Sequence, residues 1–320
     1  MKKALCVIGE ALIDFIPQQN NCKLKDVVSF EKAAGGAPAN VAGAVAKLGG
    51  QAKILTQLGK DAFGDYLLAC MQAQNIDTAY VKQHADYDTS LAFVSLDSEG
   101  NRDFKFYRKT AADLAYGPDD VDERCLDDVK IVHFCSVDLV PSPMRQAHVK
   151  LLELAMQKNI WISFDPNLRF SLWPDKASLK QTVWEFMKYA HIVKIADEEL
   201  NFICDSDDIN VAKDQILKGN CQMLIYTKGS QGSEIFTREF HIAQPAYKVK
   251  AIDTTGAGDT FIGAFLYRLL EDQPKDLTTI TKEDLQSYLS FASVYAAYMT
   301  TVKGALASLA DHKTIAEFTK

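Results

Sequence analysis

The sequence predicts an α/β protein built on a mostly parallel sheet, with a second and smaller sheet added to it. Short apolar runs alternate with helical segments along most of the chain, which favours parallel strands with helices on both faces. A different pattern lies within 88–112, where Ser90–Leu96 and Asp103–Tyr107 flank the turn-forming segment Asp97–Asn101. This hairpin signal inside an alternating β/α chain indicates an added antiparallel sheet, to which residues 15–33 also contribute.

The composition excludes several kinds of protein. With 320 residues and 48% hydrophobic content, the chain can bury a core as one large domain or two smaller ones. The net charge of −7 argues against unassisted binding to nucleic acid or an anionic membrane. The seven cysteines are widely spaced and show no Cys-x-x-Cys, which predicts reduced thiols. No signal-peptide pattern or long apolar stretch is found, so we expect a cytoplasmic protein.

The individual elements follow from the apolar runs. Ala4–Gly9 is continuously apolar and ends in glycine, which is typical of a buried parallel strand. The other predicted strands are Ala52–Leu58, Ile131–Cys135, Trp161–Phe164, Ile192–Ile195, Met223–Thr227 and Tyr247–Ile252. The predicted helices are Ala39–Leu48, Asp65–Gln74, Met144–Gln157, Leu179–Tyr189, Phe261–Leu270 and Leu285–Thr301.

The stretch Asp253–Phe261, DTTGAGDTF, joins a predicted strand to a predicted helix. Its two glycines allow the backbone to approach a ligand, and the first amides of the helix favour an anion. Asp259 would then face that anion, where a carboxylate can serve as a general base. The alternative is a tight connection followed by an ordinary helix-start aspartate. Phe261 excludes a dinucleotide fingerprint, and the chain contains no Walker A loop.

This stretch resembles the C-terminal signature of the ribokinase-like (PfkB) carbohydrate kinases. Gly35–Ala42, GGAPANVA, resembles the N-terminal signature of the same family and runs on to Leu48–Gly50. The resemblance extends from Val7 to the region of Gly304. It implies a single ribokinase-like domain over 1–320, folded as a three-layer sandwich with a discontinuous β lid at about 15–33 and 88–112.

The resemblance also implies roles for particular residues. Asp259 would be the general base, and Gly256, Ala257 and Gly258 would form the anion hole for the transferring phosphoryl group. The residues implied to bind the sugar are Asp14, Gly35, Gly36, Asn40, Arg108, Arg169 and Asp259. Those implied to bind the nucleotide are Lys194, Thr227, Lys228, Gly229, Gly232 and Gly258.

The local pattern leaves plainer interpretations open for several of these residues. Asp14 could be a turn or cap residue, and Thr227–Gly232 could be an ordinary glycine turn after a strand. Arg108 lies at the end of the hairpin, from which it could reach a bound sugar or the phosphate produced, or remain exposed. Arg169 could bind two phosphate oxygens or form a surface ion pair.

Two cation sites are implied by the resemblance. Glu199 matches the glutamate of the family's Asn-x-x-Glu element and would orient Mg²⁺ through water. Ala196 stands where that element has asparagine, so the match is incomplete, and an acidic helix start is the alternative. A monovalent-cation site, expected to bind K⁺, would be formed by Asp253, Thr255, Gly304 and Ser308.

The lid sequence Phe104–Arg108 with Ala112-Asp113, and Asp165–Arg169 with Trp173, resemble bacterial fructokinases. The ribose-contacting glutamate of ribokinase is absent near Phe134–Ser136. We therefore expect an ATP-dependent kinase acting on the 6-hydroxyl of D-fructose, with a homodimer through the lid sheet as a further expectation. The alternatives are an aminoimidazole-riboside or nucleoside kinase, a 2-keto-3-deoxygluconate kinase, or a catalytically silent sugar-binding sensor. A nicotinamide-dependent dehydrogenase is excluded by Phe261 and by the C-terminal position of the glycine turn.

Overall fold

The computed structural model of the chain describes residues 3–19, 22–96 and 102–320. The strands in these ranges are β1 (Ala4–Ile8), β2 (Leu12–Pro17), β3 (Phe30–Gly35), β4 (Ala52–Gly59), β5 (Val81–His84), β6 (Leu91–Leu96), β7 (Arg102–Tyr107), β8 (Val129–Cys135), β9 (Trp161–Asp165), β10 (Ile192–Ala196), β11 (Met223–Thr227), β12 (Ser233–Phe236) and β13 (His241–Gln244). The helices are α1 (Ala37–Lys47), α2 (Ala62–Ala73), α3 (Ala112–Ala115), α4 (Pro143–Gln157), α5 (Lys176–Met187), α6 (Asp197–Cys204), α7 (Ile209–Ile216), α8 (Ala257–Asp272), α9 (Lys282–Thr300) and α10 (His312–Phe318).

The large sheet has the strand order β13-β12-β11-β10-β9-β8-β1-β4-β5. All neighbouring pairs from β11 through to β5 are parallel, and β12 and β13 extend one edge as an antiparallel hairpin. Side chains alternate across the sheet: Leu5 and Val7 of β1 pack with α1, α2, α8 and α9, whereas Cys6 and Ile8 pack with α4 to α7. The predicted three-layer α/β fold is confirmed.

The second sheet has the order β3-β2-β6-β7. β2 pairs antiparallel with β3 and parallel with β6, and β6 pairs antiparallel with β7. The pairing of β6 with β7 agrees with the hairpin expected there, although its loop, 97–101, lies outside the described residues. Only three residues separate β1 of the large sheet from β2 of the small sheet. The small sheet therefore lies at the carboxyl end of β1.

Close packing of α1 against α8 sets the geometry of the region between them. A Cβ atom added to Gly263 would lie 2.8 Å from the Cβ of Ala44 and 3.0 Å from the Val41 carbonyl oxygen. Only glycine lets the two backbones come this near. Gly263 and Ala44 each lie one helical turn after a predicted site residue, Asp259 on α8 and Asn40 on α1, so this contact brings those two side chains together.

Two further observations complete the fold. The predicted strand Tyr247–Ile252 is wrong: β13 ends at Gln244, and 245–256 form no regular strand. In the ranges that the structure describes, no helix has the length and apolar character needed to span a membrane.

Candidate active site

A large cavity of about 950 Å³ lies at the carboxyl ends of β1, β9, β10 and β11, where open α/β sheets bind ligands. The small sheet contributes Leu12, Asp14 and Phe106 to one end of it. The opposite end is lined by small side chains that include Ala246, Ala296 and Ala297. Of the predicted site residues, the lining contains Asp14, Gly36, Asn40, Arg169, Lys194, Glu199, Thr227, Gly229, Gly232, Thr255, Gly256, Ala257, Gly258 and Asp259.

Asp259 lies in the first turn of α8, lines this cavity and is only 9% exposed. Asn40 Nδ2 donates to its Oδ2 at 2.9 Å, and Asn167 Nδ2 donates to its Oδ1 at 2.9 Å. Burial raises the pKa of the Asp259 carboxyl, the Asn40 hydrogen bond lowers it, and the net shift is upward. The carboxylate is therefore fixed in orientation and more basic than an ordinary aspartate.

Asn167 is a functional candidate that the predicted set omits. It follows β9 and has a φ of 45°, a left-handed conformation that asparagine tolerates better than most residues. Its backbone amide donates to Asp165 Oδ1 at 3.2 Å, which holds the turn. The sequence feature that points to Asn167 is the turn-forming run Asp165-Pro166-Asn167 after a buried strand. The sequence does not show that Asn167 contacts Asp259.

The turn into α8 has the geometry of an anion site. Gly256 caps the helix with a φ of 70°, and a Cβ there would lie 2.9 Å from Ala305 Cβ. The Ala257 amide makes only a long bond of 3.3 Å, to the Thr254 carbonyl. The first-turn amides of α8 and the helix dipole therefore favour negative charge beside Asp259.

Lys194 supplies the positive charge next to this turn. Its Nζ lies 3.0 Å from Asp165 Oδ2, and both side chains are buried. A Cβ added to Gly258 would be 3.3 Å from the same Nζ. Burial alone would lower the pKa of Lys194, but the charges of Asp165 and then Glu199 outweigh it and raise the pKa, so the ammonium group stays charged.

Glu199 is buried at the start of α6. Its Oε1 accepts from the Leu168 amide at 2.7 Å and its Oε2 from the Ala196 amide at 2.9 Å. Burial raises the pKa of this carboxyl, opposed by the charge of Lys194. With both oxygens already bonded to backbone amides, Glu199 ties the turn after β9 to the turn after β10.

The predicted nucleotide turn begins where β11 ends. The Lys228 amide donates to the Gly232 carbonyl at 2.8 Å, and Gly232 has a φ of 101° with a Cβ position only 2.2 Å from the Gln244 carbonyl oxygen. Glycine is therefore required at 232. Lys228 itself does not line the cavity, because its ammonium group pairs with Glu234.

Asp14, Gly35 and Gly36 lie together beside the small sheet. A Cβ on Gly35 would come within 2.2 Å of Asp14 Oδ2, so this glycine leaves space for the carboxylate rather than lining the cavity. Gly36 has a φ of 109°, and a Cβ there would lie 2.5 Å from the Glu10 carbonyl oxygen. Glu10 also lines the cavity and is a second residue absent from the predicted set.

The structure places Arg108 elsewhere than expected. It is 6% exposed, neither in solvent nor among the residues that line the cavity. Its Nη2 group donates to both Asp113 and Asp138, and its Nε donates to Ser90 Oγ at 3.0 Å. Arg108 therefore lies behind the cavity wall, where its charge acts on the pKa of Glu10, a residue of the lining. Arg108 joins the end of β7 to the core.

Arg169 does line the cavity, and its Nη1 donates to the Leu168 carbonyl at 2.9 Å. The charge of Arg169 is also one of the influences that lower the pKa of Asp259. Arg169 is thus close enough to influence the pKa of the Asp259 carboxyl.

The predicted monovalent-cation residues come together beside the anion turn. Asp253 Oδ1 accepts from the Thr255 amide at 2.9 Å and from its hydroxyl at 2.6 Å, while Asp253 Oδ2 accepts from the Gly304 amide at 3.1 Å. Ser308 Oγ lies 3.5 Å from the Cβ position of Gly304. Oxygen atoms dominate this group, which suits a hard cation better than a transition metal.

The pfkB family carbohydrate kinase model matches residues 2–312 of the chain. The chain belongs to this family. It is therefore a carbohydrate kinase, and the family prediction is confirmed. One relative, probable fructokinase-2 of Arabidopsis thaliana, is 37% identical over 302 residues, which cover 94% of this chain and 91% of the relative.

Solved structures of this kinase family agree with the fold. Fructokinase from Xylella fastidiosa with bound ATP has a TM-score of 0.91 and 31% identity, covering 99% of this chain and 98% of that chain. A double mutant of fructokinase from Vibrio cholerae O395, in a form with fructose, ADP and potassium ion bound, has a TM-score of 0.88 and 28% identity. That match covers 100% of this chain and 99% of the other.

Proposed function

We propose that this carbohydrate kinase is an ATP-dependent fructokinase, which transfers the γ-phosphoryl group of ATP to the 6-hydroxyl of D-fructose. The observation that carries the chemistry is Asp259, a buried carboxylate oriented by Asn40 and Asn167 beside an anion-binding helix start. The fructokinases among its relatives and structural neighbours support fructose as the acceptor.

Asp259 would take the proton from O6 of the sugar as that oxygen attacks the γ-phosphorus. The bond between the γ-phosphorus and the β–γ bridging oxygen breaks, and ADP leaves with that oxygen. Amides at Gly256, Ala257 and Gly258 would stabilise the charge on the transferring phosphoryl group. Lys194 would add a fixed positive charge on the same side.

The sugar would lie at the end of the cavity formed by the small sheet. Asp14, Gly36 and Asn40 line that end and offer a carboxylate, a backbone amide and a side-chain amide to the hydroxyls. Asn40 Oδ1 is buried without a hydrogen-bond partner among the described residues, so it is available to a hydroxyl donor. Arg169 would contact a phosphate.

The nucleotide would lie at the opposite end. Thr227, Gly229 and Gly232 line it after β11, and the small side chains of α9 leave room for a flat base. Lys228 contributes through its backbone at most, because its ammonium group is paired with Glu234. Gly258, between the two ends, would contact the phosphates.

The residues present fit Mg²⁺ held by phosphate oxygens and water. Glu199 has both oxygens bonded to amides, which leaves it suited to a water-mediated contact. In the described ranges no cluster of histidine, cysteine or carboxylate side chains could chelate a metal alone. Bound Mg²⁺ would neutralise phosphate charge, and K⁺ beside Asp253 and Thr255 would stabilise the conformation of the anion turn.

The small sheet would act as a lid that excludes water from the sugar. Its other face is aromatic: Phe15 stacks on Phe93 with centroids 4.7 Å apart, Phe30 packs edge-on, and Tyr107 is 60% exposed. This face supports a homodimer through the lid of a second copy. Sedimentation of the wild type should give a dimer, and Tyr107→Glu should convert it to a monomer. A wild type that stays monomeric at high concentration would exclude the homodimer.

A coupled ADP-release assay tests the proposed function. The panel contains D-fructose, D-ribose, nucleosides, aminoimidazole riboside and 2-keto-3-deoxygluconate. We expect the highest kcat/KM with fructose, and a product phosphorylated at C6 by ³¹P NMR. A higher value for another acceptor would assign the chain to that activity, and binding of sugar without ADP release would support the silent sensor.

A further inference from the structure

The sugar end of the cavity contains an acceptor that the proposed chemistry leaves unused. Glu10 is 2% exposed and is among the residues that line the cavity, with Asp14 and Gly36. Its Oε2 is buried and has no hydrogen-bond partner in the ranges 3–19, 22–96 and 102–320. A buried polar atom left without a partner costs stability, so each such atom in a native fold calls for an explanation.

The carboxyl group of Glu10 is held in place by its other oxygen. Oε1 accepts from the backbone amide of Ala37 at 2.9 Å, at the first residue of α1. Glu10 is therefore fixed one turn before Asn40, whose Oδ1 is likewise buried and unpaired among the described residues. Two immobilised acceptor atoms thus lie at the first turn of α1, one from Asn40 on the helix and one from Glu10 on the β1–β2 turn.

The charged groups nearest to Glu10 do not satisfy this oxygen. The hydrogen bonds of Arg108 go to Ser90, Asp113 and Asp138. Asp138 Oδ2 is also buried without a partner among the described residues, so it does not pair with Glu10 Oε2. Burial raises the pKa of Glu10 well above its usual range, and the charge of Asp138 adds to that shift while Arg108 opposes it. A sugar hydroxyl both donates and accepts, so it pairs with either protonation form of Glu10.

We propose that Glu10 binds a hydroxyl group of the acceptor sugar other than the one phosphorylated, and so helps to determine which sugar is used. The inference rests on the proposed function only in requiring a polyhydroxylated acceptor in this cavity. It assigns specificity to a residue of the β1–β2 turn, in addition to Asp14 and Asn40.

The test compares kcat/KM for fructose and for its 1-, 3- and 4-deoxy analogues in the wild type and in Glu10→Gln. The substitution keeps the size of the side chain and an oxygen that can still accept from Ala37, but it places an NH₂ group where Oε2 was. We expect one analogue to lose about 10- to 100-fold in the wild type. In Glu10→Gln, kcat/KM for fructose should exceed kcat/KM for that analogue by about 3-fold or less, because fructose itself has lost the contact. The ratios of fructose to the other two analogues should equal those of the wild type.

Asp113→Asn is the matched control, since it neutralises a buried carboxylate of the same neighbourhood that does not line the cavity. It should keep every wild-type ratio. Unchanged ratios in folded Glu10→Gln, or an equal loss on every analogue, would overturn the proposal. If Glu10→Gln fails to fold, Glu10→Asp serves instead, because the shorter side chain withdraws the acceptor from the cavity. If the wild type prefers another sugar, the proposed function fails, and deoxy analogues of that sugar test Glu10 separately.

Discussion

Asn40 and Asp259 are separated by 219 positions, yet Asn40 Nδ2 lies 2.9 Å from Asp259 Oδ2 and donates to it. One residue comes from the first turn of α1 and the other from the first turn of α8. Gly263 and Ala44, one turn further along each helix, allow the close approach. A sugar hydroxyl placed between α1 and α8 would meet a base whose orientation is already fixed.

This contact predicts a pH effect. Asp259 acts as a base only when deprotonated, so the rate rises with pH through its pKa on the acid side. The Asn40 hydrogen bond lowers that pKa. Asn40→Ala should therefore move the acid limb of the kcat profile to higher pH as well as lowering the rate. Asn201→Ala, which removes an exposed bond to Asp207, should leave the profile unchanged. An acid limb at the wild-type position in Asn40→Ala would show that the bond does not tune the base.

The buried position of Arg108 predicts a loss of stability. Arg108→Leu leaves Asp113 and Asp138 buried without their cation, which typically costs about 3–5 kcal/mol. Chemical denaturation should show this decrease in the free energy of unfolding. Arg124→Leu removes an arginine that is 80% exposed and paired with Asp122, and should have no measurable effect. Equal stabilities of the two variants would contradict the buried network.

The position of Asp253, just before the anion turn, predicts that K⁺ increases the rate. We expect the rate to rise several-fold when K⁺ replaces a large organic cation at constant ionic strength. Asp253→Asn should abolish this rise, because the carboxylate joins Thr255 of its own loop to Gly304 in the loop after α9. Asp276→Asn, at a surface turn, should respond to K⁺ as the wild type does. A wild-type response in Asp253→Asn would remove this carboxylate from the site.

Local patterns were sufficient to predict most of the large sheet. β1 and β11 are almost entirely apolar runs, and β8 is an apolar run interrupted by Lys130 and His133; the predicted bounds of all three lie within two residues of the observed ones. The predicted strand Tyr247–Ile252 failed because alternation of apolar and lysine residues does not supply a pairing partner. The segment lines the cavity instead, with Tyr247, Lys248 and Val249 among the lining residues.

The parts of the site that lie within a short sequence motif could be predicted. The contacts between residues far apart in the sequence could not. The motif around Asp259 shows an anion turn and a candidate base. Nothing local shows that Asn167, 92 positions away, donates to that base. The burial of Arg108 could not be predicted for a related reason, because both of its carboxylate partners follow the hairpin in the sequence and only the fold brings them to it. Glu10 was missed because a lone glutamate after a strand gives no signal of its own.

The most direct test of the account is the turnover of Asp259→Asn. Asparagine keeps the size of the side chain but cannot accept the proton, and a positioned base contributes about 10²–10⁴-fold. Asp284→Asn is the control, because Asp284 occupies the same third position of α9 at a surface helix start. We expect both variants to fold and to bind sugar and nucleotide by calorimetry, with kcat reduced at least about 100-fold only in Asp259→Asn. A folded Asp259→Asn that phosphorylates fructose at a near-normal rate would contradict the account and place the base elsewhere.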